Sequence, residues 1–482
     1  VNGTRKATAV PVPSSPALPA ELPIVLDRDA SVPLSVQLAE ALRAAAVAGQ
    51  LRAGDRLPST RILATHLGVS RTVTAAAYEQ LHAEGWITGR HGSGTYVTTT
   101  PPGTRRQPPR RPRRDAATDD TVHLVPGAAW ADGLDRAAWR RAWRAAADEP
   151  PLILPERAGL PAYRATVAEH LLRHRGLMVP GDPEAADTIL ATGGTTSAVA
   201  EFAQAALERG DVVAVEEPGY QRAVGAFQAA GLRVVGVPVD ADGLIVDRVP
   251  EGVRAVFCSP AHQYPVGSRL PAARRVELVR RARAEGWLVI EDDYDGELRY
   301  DVAPLPLLAA LAPDVVVHLG TTSKILTPTL GAGWMVAPPG IVRAVLDYRA
   351  RIGASPSTAG QRVLVALARH GDLGRHLRKL RRELSERRAL LVSALRAAGV
   401  EVMGDDAGAH VLVPLPSAAA EREVVARGAG RGLRLDVLSR HYAGRPAGYG
   451  IPVGYAAPGR SRFEKAVPVL VELLRAAQEK PQ

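Results

Sequence analysis

The chain is nearly without cysteine and nearly without lysine. Cys258 is its one thiol, which excludes an intramolecular disulfide and a cysteine-based zinc site and suits a reducing cytoplasm; no metal site is expected. Long apolar runs are missing too. None reaches the roughly 18 residues needed to cross a bilayer, so no membrane segment is predicted. The first twenty residues carry the pair Arg5-Lys6 but are then broken by Pro11, Pro13, Pro16 and Pro19, and so lack the continuous apolar stretch of a signal peptide. Residues 1–30 read as a disordered leader. What is present is ample apolar material, 46% of 482 residues, which allows two to four domains. The net charge of +10 is compatible with a polyanionic partner where the basic residues cluster.

Positive charge is carried by arginine, and Lys324 is the only lysine between Lys6 and Lys379. It sits in Thr321-Thr322-Ser323-Lys324, just after the apolar run Val315-Val316-Val317-His318-Leu319. A guanidinium effectively never deprotonates, whereas an ammonium can lose its proton and form a Schiff base with an aldehyde. Lys324 therefore reads as a nucleophilic amine at the end of a buried strand; the competing reading is a surface lysine placed by chance.

Residues 101–114, PPGTRRQPPRRPRR, cannot form helix or central strand, and their six arginines repel one another. The stretch 99–121 is thus an extended Pro/Arg-rich linker, a spacer that could also touch phosphates. Before it, residues 31–98 show three helices and a hairpin. Pro33 starts a helix with Leu34, Leu38, Ala41, Leu42 and Ala45 on one face; Ser59 starts a second that buries Ile62, Leu63 and Leu67 and stops at Gly68. Ser70 caps a third, with Val73, Ala76, Ala77 and Leu81 inward and Arg71, Thr72, Thr74 and Ala75 outward. Helix, glycine turn, helix is the helix-turn-helix pattern, and Arg71 at the start of the third helix is the first candidate base reader. Strands around Trp86-Ile87-Thr88 and Thr95-Tyr96-Val97 flank Gly89-Arg90-His91-Gly92-Ser93-Gly94, a basic wing tip.

From residue 122 to 482 short apolar strands alternate with helices, which predicts an α/β domain with a mostly parallel sheet. The strand candidates are 188–191, 212–215, 233–237, 255–258, 287–291, 315–319 and 333–336. Ligands of such sheets gather at strand ends. There lie Thr192-Gly193-Gly194-Thr195-Thr196-Ser197, a phosphate cradle at a helix start; Tyr220, a stacking ring; Glu291-Asp292-Asp293-Tyr294-Asp295, an acid cluster that needs a cation; and Lys324. An amine for an aldehyde, a carboxylate for a protonated ring nitrogen, a stacking ring and a phosphate cradle are the partners that pyridoxal 5'-phosphate (PLP) requires.

Two resemblances join these halves. Residues 31–98, through Gly49-Gln50-Leu51-Arg52-Ala53-Gly54-Asp55-Arg56-Leu57-Pro58-Ser59-Thr60-Arg61 and Leu67-Gly68-Val69-Ser70-Arg71-Thr72-Val73, resemble the winged helix of GntR-type transcription regulators. Residues 122–482 resemble fold type I aminotransferases. Their Asp292-Asp293-Tyr294-Asp295, His262-Gln263-Tyr264-Pro265-Val266-Gly267 and Thr322-Ser323-Lys324 look like the versions in the MocR subfamily, where that fold is fused to a winged helix. The resemblance implies Arg56, Ser59, Arg61, Ser70, Arg71, Thr74 and Gly92 as DNA-contacting positions. It implies Lys324 as the Schiff-base lysine, Asp292 at the pyridine nitrogen, Tyr294 near the ring hydroxyl, Tyr220 on the ring, Tyr264 as a further cofactor-binding residue, and Gly194, Thr195 and Ser323 at the phosphate. Arg222 and Arg440 would receive an effector carboxylate, with Arg434 or Arg445 as alternatives to the latter. Gly331 stands where the family pattern has a phosphate-binding arginine.

The function implied is a cytoplasmic transcription regulator that binds a double-stranded DNA operator as a head-to-tail homodimer and senses PLP, alone or with an amino acid or amine. An active aminotransferase with a fused DNA-binding module is the alternative, and a cofactor-free regulator marked by Gly331 is a third.

Overall fold

The computed structural model describes residues 24–90, 94–98, 121–179, 188–300, 306–404 and 407–478. The chain divides into two compact units, Val1–Ala117 and Thr118–Gln482. The first contains α1 (Leu34–Val47), β1 (Arg56–Leu57), α2 (Thr60–Leu67), α3 (Arg71–Ala83), β2 (Ile87–Arg90) and β3 (Gly94–Val97). Each helix boundary has a local cause. Ser59 Oγ accepts the amide of Ile62, Ser70 Oγ accepts that of Val73, and Gly68 ends α2 in the left-handed conformation. The core is Leu38, Leu42, Leu63, Ala77, Tyr78, Leu81, Ile87 and Val97. The short β1, not anticipated, adds a third strand to the wing in the order β1-β3-β2.

The phase of α3 corrects the sequence reading. Thr74 is buried rather than outward, and its hydroxyl donates to the carbonyls of Thr60 at 2.8 Å and Arg71 at 3.0 Å. With Thr74, Ala77, Tyr78 and Leu81 inward, Ala76 turns out to solvent. Ile62, expected in the core, is 43% exposed, and Ala64 takes the inward place. Residues 24–30, read as part of the leader, are anchored. Ile24 and Leu26 pack on the core, and Arg28 donates to the Gly68 carbonyl at 2.6 Å.

The second unit runs through β4 (Val122–His123), α4 (Arg136–Asp148), α5 (Pro161–Arg175), β5 (Ile189–Thr192), α6 (Thr195–Ala206), β6 (Val212–Glu217), α7 (Gln221–Ala229), β7 (Arg233–Asp240) and β8 (Gly243–Leu244). It continues with β9 (Ala255–Cys258), α8 (Ala272–Glu285), β10 (Leu288–Asp293), α9 (Leu308–Leu311), β11 (Val316–Thr321), β12 (Gly333–Val336), α10 (Pro339–Ile352), α11 (Thr358–Arg369) and α12 (Asp372–Ala397). It closes with β13 (His410–Leu415), α13 (Ala418–Gly430), β14 (Leu433–Arg434), β15 (Tyr449–Gly454) and α14 (Arg460–Gln478). The large sheet has the order β5-β12-β11-β10-β9-β6-β7-β8. Its centre, β11, β10, β9, β6 and β7, is parallel, while β12 runs against both neighbours and β8 against β7.

Both faces of this sheet are covered, which is why its strands read as continuous apolar runs. Ala198, Phe202, Phe227, Val342 and Val345 from α6, α7 and α10 close one face, and Val167, Leu171, Leu278 and Ala282 from α5 and α8 help close the other. Alternation along β10 sends Glu291 and Asp293 to one side and Asp292 to the other. Asp293 is fixed by Arg175, whose Nε and Nη2 donate to its two oxygens at 2.9 and 2.7 Å in full burial. That two-pronged pair holds the end of β10 so that Asp292 faces the strand-end cleft.

Candidate functional site

Lys324 and Asp292 face the same cleft from β10 and the turn after β11. The Lys324 ammonium donates to the carbonyl of Gly127. Burial pushes its pKa down, Asp295 and Asp292 oppose that shift, and the Arg222 charge adds to it. Asp292 is 4% exposed, and burial raises its carboxyl from the ordinary 3.8 to about 7 against the opposing pull of Thr195 and Lys324. Its Oδ1 has no hydrogen-bond partner, and neither has Thr195 Oγ1, although the Thr195 hydroxyl is near enough to pull the carboxyl's pKa down. A buried carboxylate with a free lone pair is costly unless a donor meets it. A protonated ring nitrogen is such a donor.

A cradle lies beside this pair. Gly194, at φ +117°, turns the chain from β5 into α6, and a Cβ there would stand 3.2 Å from Thr321 Oγ1 and 3.8 Å from Ser323 Oγ. The backbone conformation is what calls for glycine here, and a side chain would also crowd the Thr321 hydroxyl. Thr321 Oγ1 donates to Ser323 Oγ at 2.9 Å and accepts the Ser323 amide at 3.2 Å. The first turn of α6 has no side-chain cap, which leaves its amides and the positive end of its dipole for an anion. The fold thus brings Gly194, Thr195 and Ser323 together around an uncapped helix start. Gly331 caps the turn Pro328–Leu330 at φ +60°, and a Cβ built on it meets nothing within 4 Å.

Three tyrosines form one wall. Tyr264 stands edge-on to both Tyr220 and Tyr294, with centroids 6.1 Å apart in each case. Tyr220 shares a hydrogen bond of 2.9 Å with the hydroxyl of Thr196. Tyr294 meets His262 Nδ1 at 3.1 Å, and Asp295 Oδ2 meets the same nitrogen at 3.0 Å. Arg222 is exposed, close enough to act on both Tyr220 and Lys324. Arg440 stands beside Tyr264 and pairs with Asp436 at 2.6 Å, with 57% of its side chain exposed. Arg434, on β14, and Arg445 are exposed.

Sequence reasoning missed four members of this region. His262 and Asp295 lie inside quoted motifs, but nothing local pairs them. His410 arrives from β13, and its ring lies 4.8 Å from that of His262. Glu216 is buried in β6, where it accepts the Ser259 amide at 3.0 Å; burial raises its carboxyl to about 8. A charged residue ending an apolar strand was the one signal available.

On the first unit, Arg56, Ser59, Arg61, Ser70 and Arg71 are all exposed. Neither α2 nor α3 has an acidic residue in its first turn, so both helix starts favour an anionic partner. Thr74 does not belong to this face, because its hydroxyl is consumed inside the fold. Gly92 lies outside the described residues.

Comparison with known proteins bears on both units. Residues 34–97 match the bacterial regulatory proteins of the gntR family, and residues 129–435 match aminotransferase class I and II. The chain is 35% identical to the HTH-type pyridoxine biosynthesis transcriptional regulator PdxR of Corynebacterium glutamicum, across 91% of this chain and 95% of that protein. It is 33% identical to the probable rhizopine catabolism regulatory protein MocR of Rhizobium meliloti, across 90% and 92% respectively. Among solved structures, kynurenine aminotransferase of Pyrococcus horikoshii, in complex with PMP, superposes with a TM-score of 0.67 at 24% identity and covers 75% of this chain and 93% of that one. The shared fold accounts for the strand order described above.

Proposed function

The chain belongs to the MocR subfamily of GntR-type transcription regulators, and from that premise we propose that its large unit binds PLP through Lys324 and reports the cofactor, alone or with an amino acid or amine, to a DNA-binding winged helix. The observation that carries the reading is Asp292, a buried carboxylate with an unpartnered oxygen in the cleft that holds Lys324. PLP would supply an aldehyde for the amine and a ring that draws electrons. The protein's own groups do the rest. Asp292 would accept the ring N–H, Tyr220 would stack, Tyr294 and Tyr264 would approach the ring oxygen, and the α6 amides with Ser323 would hold the phosphate. Arg222, and Arg440 on release from Asp436, would be the cations that receive an effector carboxylate.

Sensing requires that the ligand bind two arrangements of the protein unequally. A head-to-tail homodimer would provide them, and an exposed apolar stretch, Leu152 (47%), Ile153 (97%) and Leu154 (78%), offers surface for a second copy. No helix among the described residues is long and apolar enough to cross a membrane, and a DNA-binding regulator works in the cytoplasm. The pyridoxine-biosynthesis relative makes control of vitamin B6 supply the first target to test.

A visible absorbance band that borohydride converts to a stable adduct on Lys324 is the expected result, with operator affinity changing when PLP is added. No band in PLP-saturated protein would overturn the cofactor assignment. A second reading, an active aminotransferase, is favoured by the completeness of the Lys324, Asp292 and Tyr220 set. Amino-group transfer to a 2-oxo acid by the purified protein would establish it.

A further inference from the structure

Two hydrogen-bonding partners compete for one nitrogen in this site. His262 Nδ1 lies 3.0 Å from Asp295 Oδ2 and 3.1 Å from the Tyr294 hydroxyl. A ring nitrogen either donates or accepts, so its tautomer decides which way the Tyr294 proton points. If Nδ1 were an acceptor, Tyr294 would give its proton to His262. If Nδ1 carries the proton, that proton goes to the carboxylate, and the Tyr294 proton is free for another acceptor.

The surroundings favour the second arrangement: His262 Nε2 is buried without a hydrogen-bond partner, so a proton there would be an unpaired donor, whereas a proton on Nδ1 meets the Asp295 carboxylate. Gly408, at φ +70°, presses on the pair; a Cβ there would fall 2.1 Å from His262 Cε1 and 2.7 Å from Asp295 Oδ2. Its own carbonyl is held by the hydroxyls of Tyr455, at 2.9 Å, and Tyr300. His262 and Asp295 are 2% and 3% exposed, so no bulk water competes for the contact. His410 lies beside His262, with ring planes tilted by 51°, and burial pushes its pKa well below the ordinary histidine value. Besides His262, which it contacts, Tyr294 is acted on by the charges of Asp295, Asp292, Tyr264 and Glu216. His441 and Lys324 act on His410, and Arg222 lies across the cleft.

We infer that Asp295 and His262 are positioning residues that fix the Nδ1–H tautomer and thereby turn the Tyr294 hydroxyl proton toward the ring oxygen of the cofactor. The inference rests on the PLP reading. A hydrogen bond to that oxygen stabilises its negative charge and eases loss of the proton from the Lys324 nitrogen beside it. Losing the bond therefore raises the pH midpoint of the visible band.

The test is a double-mutant cycle in the full-length, PLP-loaded protein, read as that midpoint. Asp295→Asn has two consequences of opposite sign. Removing a negative charge near Lys324 lowers the midpoint, whereas an amide relaxes the preference for Nδ1–H, diverts the Tyr294 proton and raises it. In the Tyr294→Phe background only the first remains. The shift caused by Asp295→Asn should therefore be more positive by about one pH unit when Tyr294 is present, the size of a charge-assisted hydrogen bond expressed as a pKa change. Equal shifts in the two backgrounds would overturn the inference while leaving the PLP reading intact. A wild-type protein without a visible band would instead overturn the PLP reading, and this inference with it. If Asp295→Asn fails to load cofactor, His262→Gln enters the same cycle with the same expected sign, because it also removes the Nδ1–H.

Discussion

Replacing Asp292 by asparagine should make the cofactor-free protein more stable and the cofactor much harder to bind. The size follows from burial. The carboxyl is lifted from 3.8 to about 7 in the folded chain, roughly three pH units, or about 4 kcal/mol. Between those values the folded state holds a proton that the unfolded state has released. Its contribution to stability therefore falls as pH rises from about 4 to about 7, and stays low above that. Asparagine is nearly the same shape and neutral throughout. Asp292→Asn should thus raise the urea midpoint of PLP-free protein at pH 8 by the equivalent of up to about 4 kcal/mol, with the difference fading towards pH 4. Glu216→Gln is the matched control, since Glu216 is also buried and raised, to about 8, but contacts the Ser259 amide rather than an open cleft. PLP affinity of Asp292→Asn should fall on the order of 10²–10³-fold, the loss of one partner in a buried charged hydrogen bond. Urea titrations at pH 5 and 8 and PLP titration by absorbance measure both. An asparagine variant less stable than wild type at pH 8, or one that binds PLP normally, would mean that Asp292 already has its partner within the fold.

Other outcomes follow from single contacts. Lys324→Ala should remove the visible band and borohydride trapping but leave a folded protein, since its ammonium gives up only a hydrogen bond to the Gly127 carbonyl at the cleft; a retained band would place the Schiff base elsewhere. Arg71→Ala should weaken operator binding by about 1–3 kcal/mol and relax base preference, whereas Thr74→Val should leave base preference unchanged and destabilise the winged helix by about 1 kcal/mol through its lost bond to Thr60. Binding to operator variants, together with thermal unfolding, distinguishes them. Gly331→Arg should lower stability by about 1–2 kcal/mol because the residue sits at φ +60°, while the open space around its Cβ lets the guanidinium reach for phosphate. Tighter PLP binding despite lower stability would mark a vacant phosphate contact, and weaker binding would mean that the anion is already neutralised.

What could be read from the sequence was local. Ser59, Gly68 and Ser70 act on amides and carbonyls within a few residues, so α2 and α3 were placed almost to the residue. Both-face burial made the central strands continuous apolar runs, and 255–258 and 333–336 were placed as observed. Thr74 escaped because a polar residue in an alanine-rich helix reads as outward; only the carbonyl of Thr60, on a different helix, explains why its hydroxyl is buried. The antiparallel sense of β12 escaped for a similar reason, since direction is a property of pairing and not of composition.

The candidate site divides along the same line. Lys324, Asp292 and Tyr220 were visible because each lies at or just past the end of an apolar strand, where the topology of such a sheet puts ligands. The contacts that tune them were not visible. His262, Asp295, Gly408 and His410 span 149 residues of sequence yet meet within a few ångströms, and each alone has a plain reading: a loop histidine, one more acid in an acidic run, a turn glycine, a strand residue. Motifs therefore identify the groups proposed to touch the cofactor. The direction in which those groups offer their protons is set by residues whose only common property is that the fold brings them to one nitrogen. Resemblance can carry over the first kind of residue by position, and the second kind has to be found from distances.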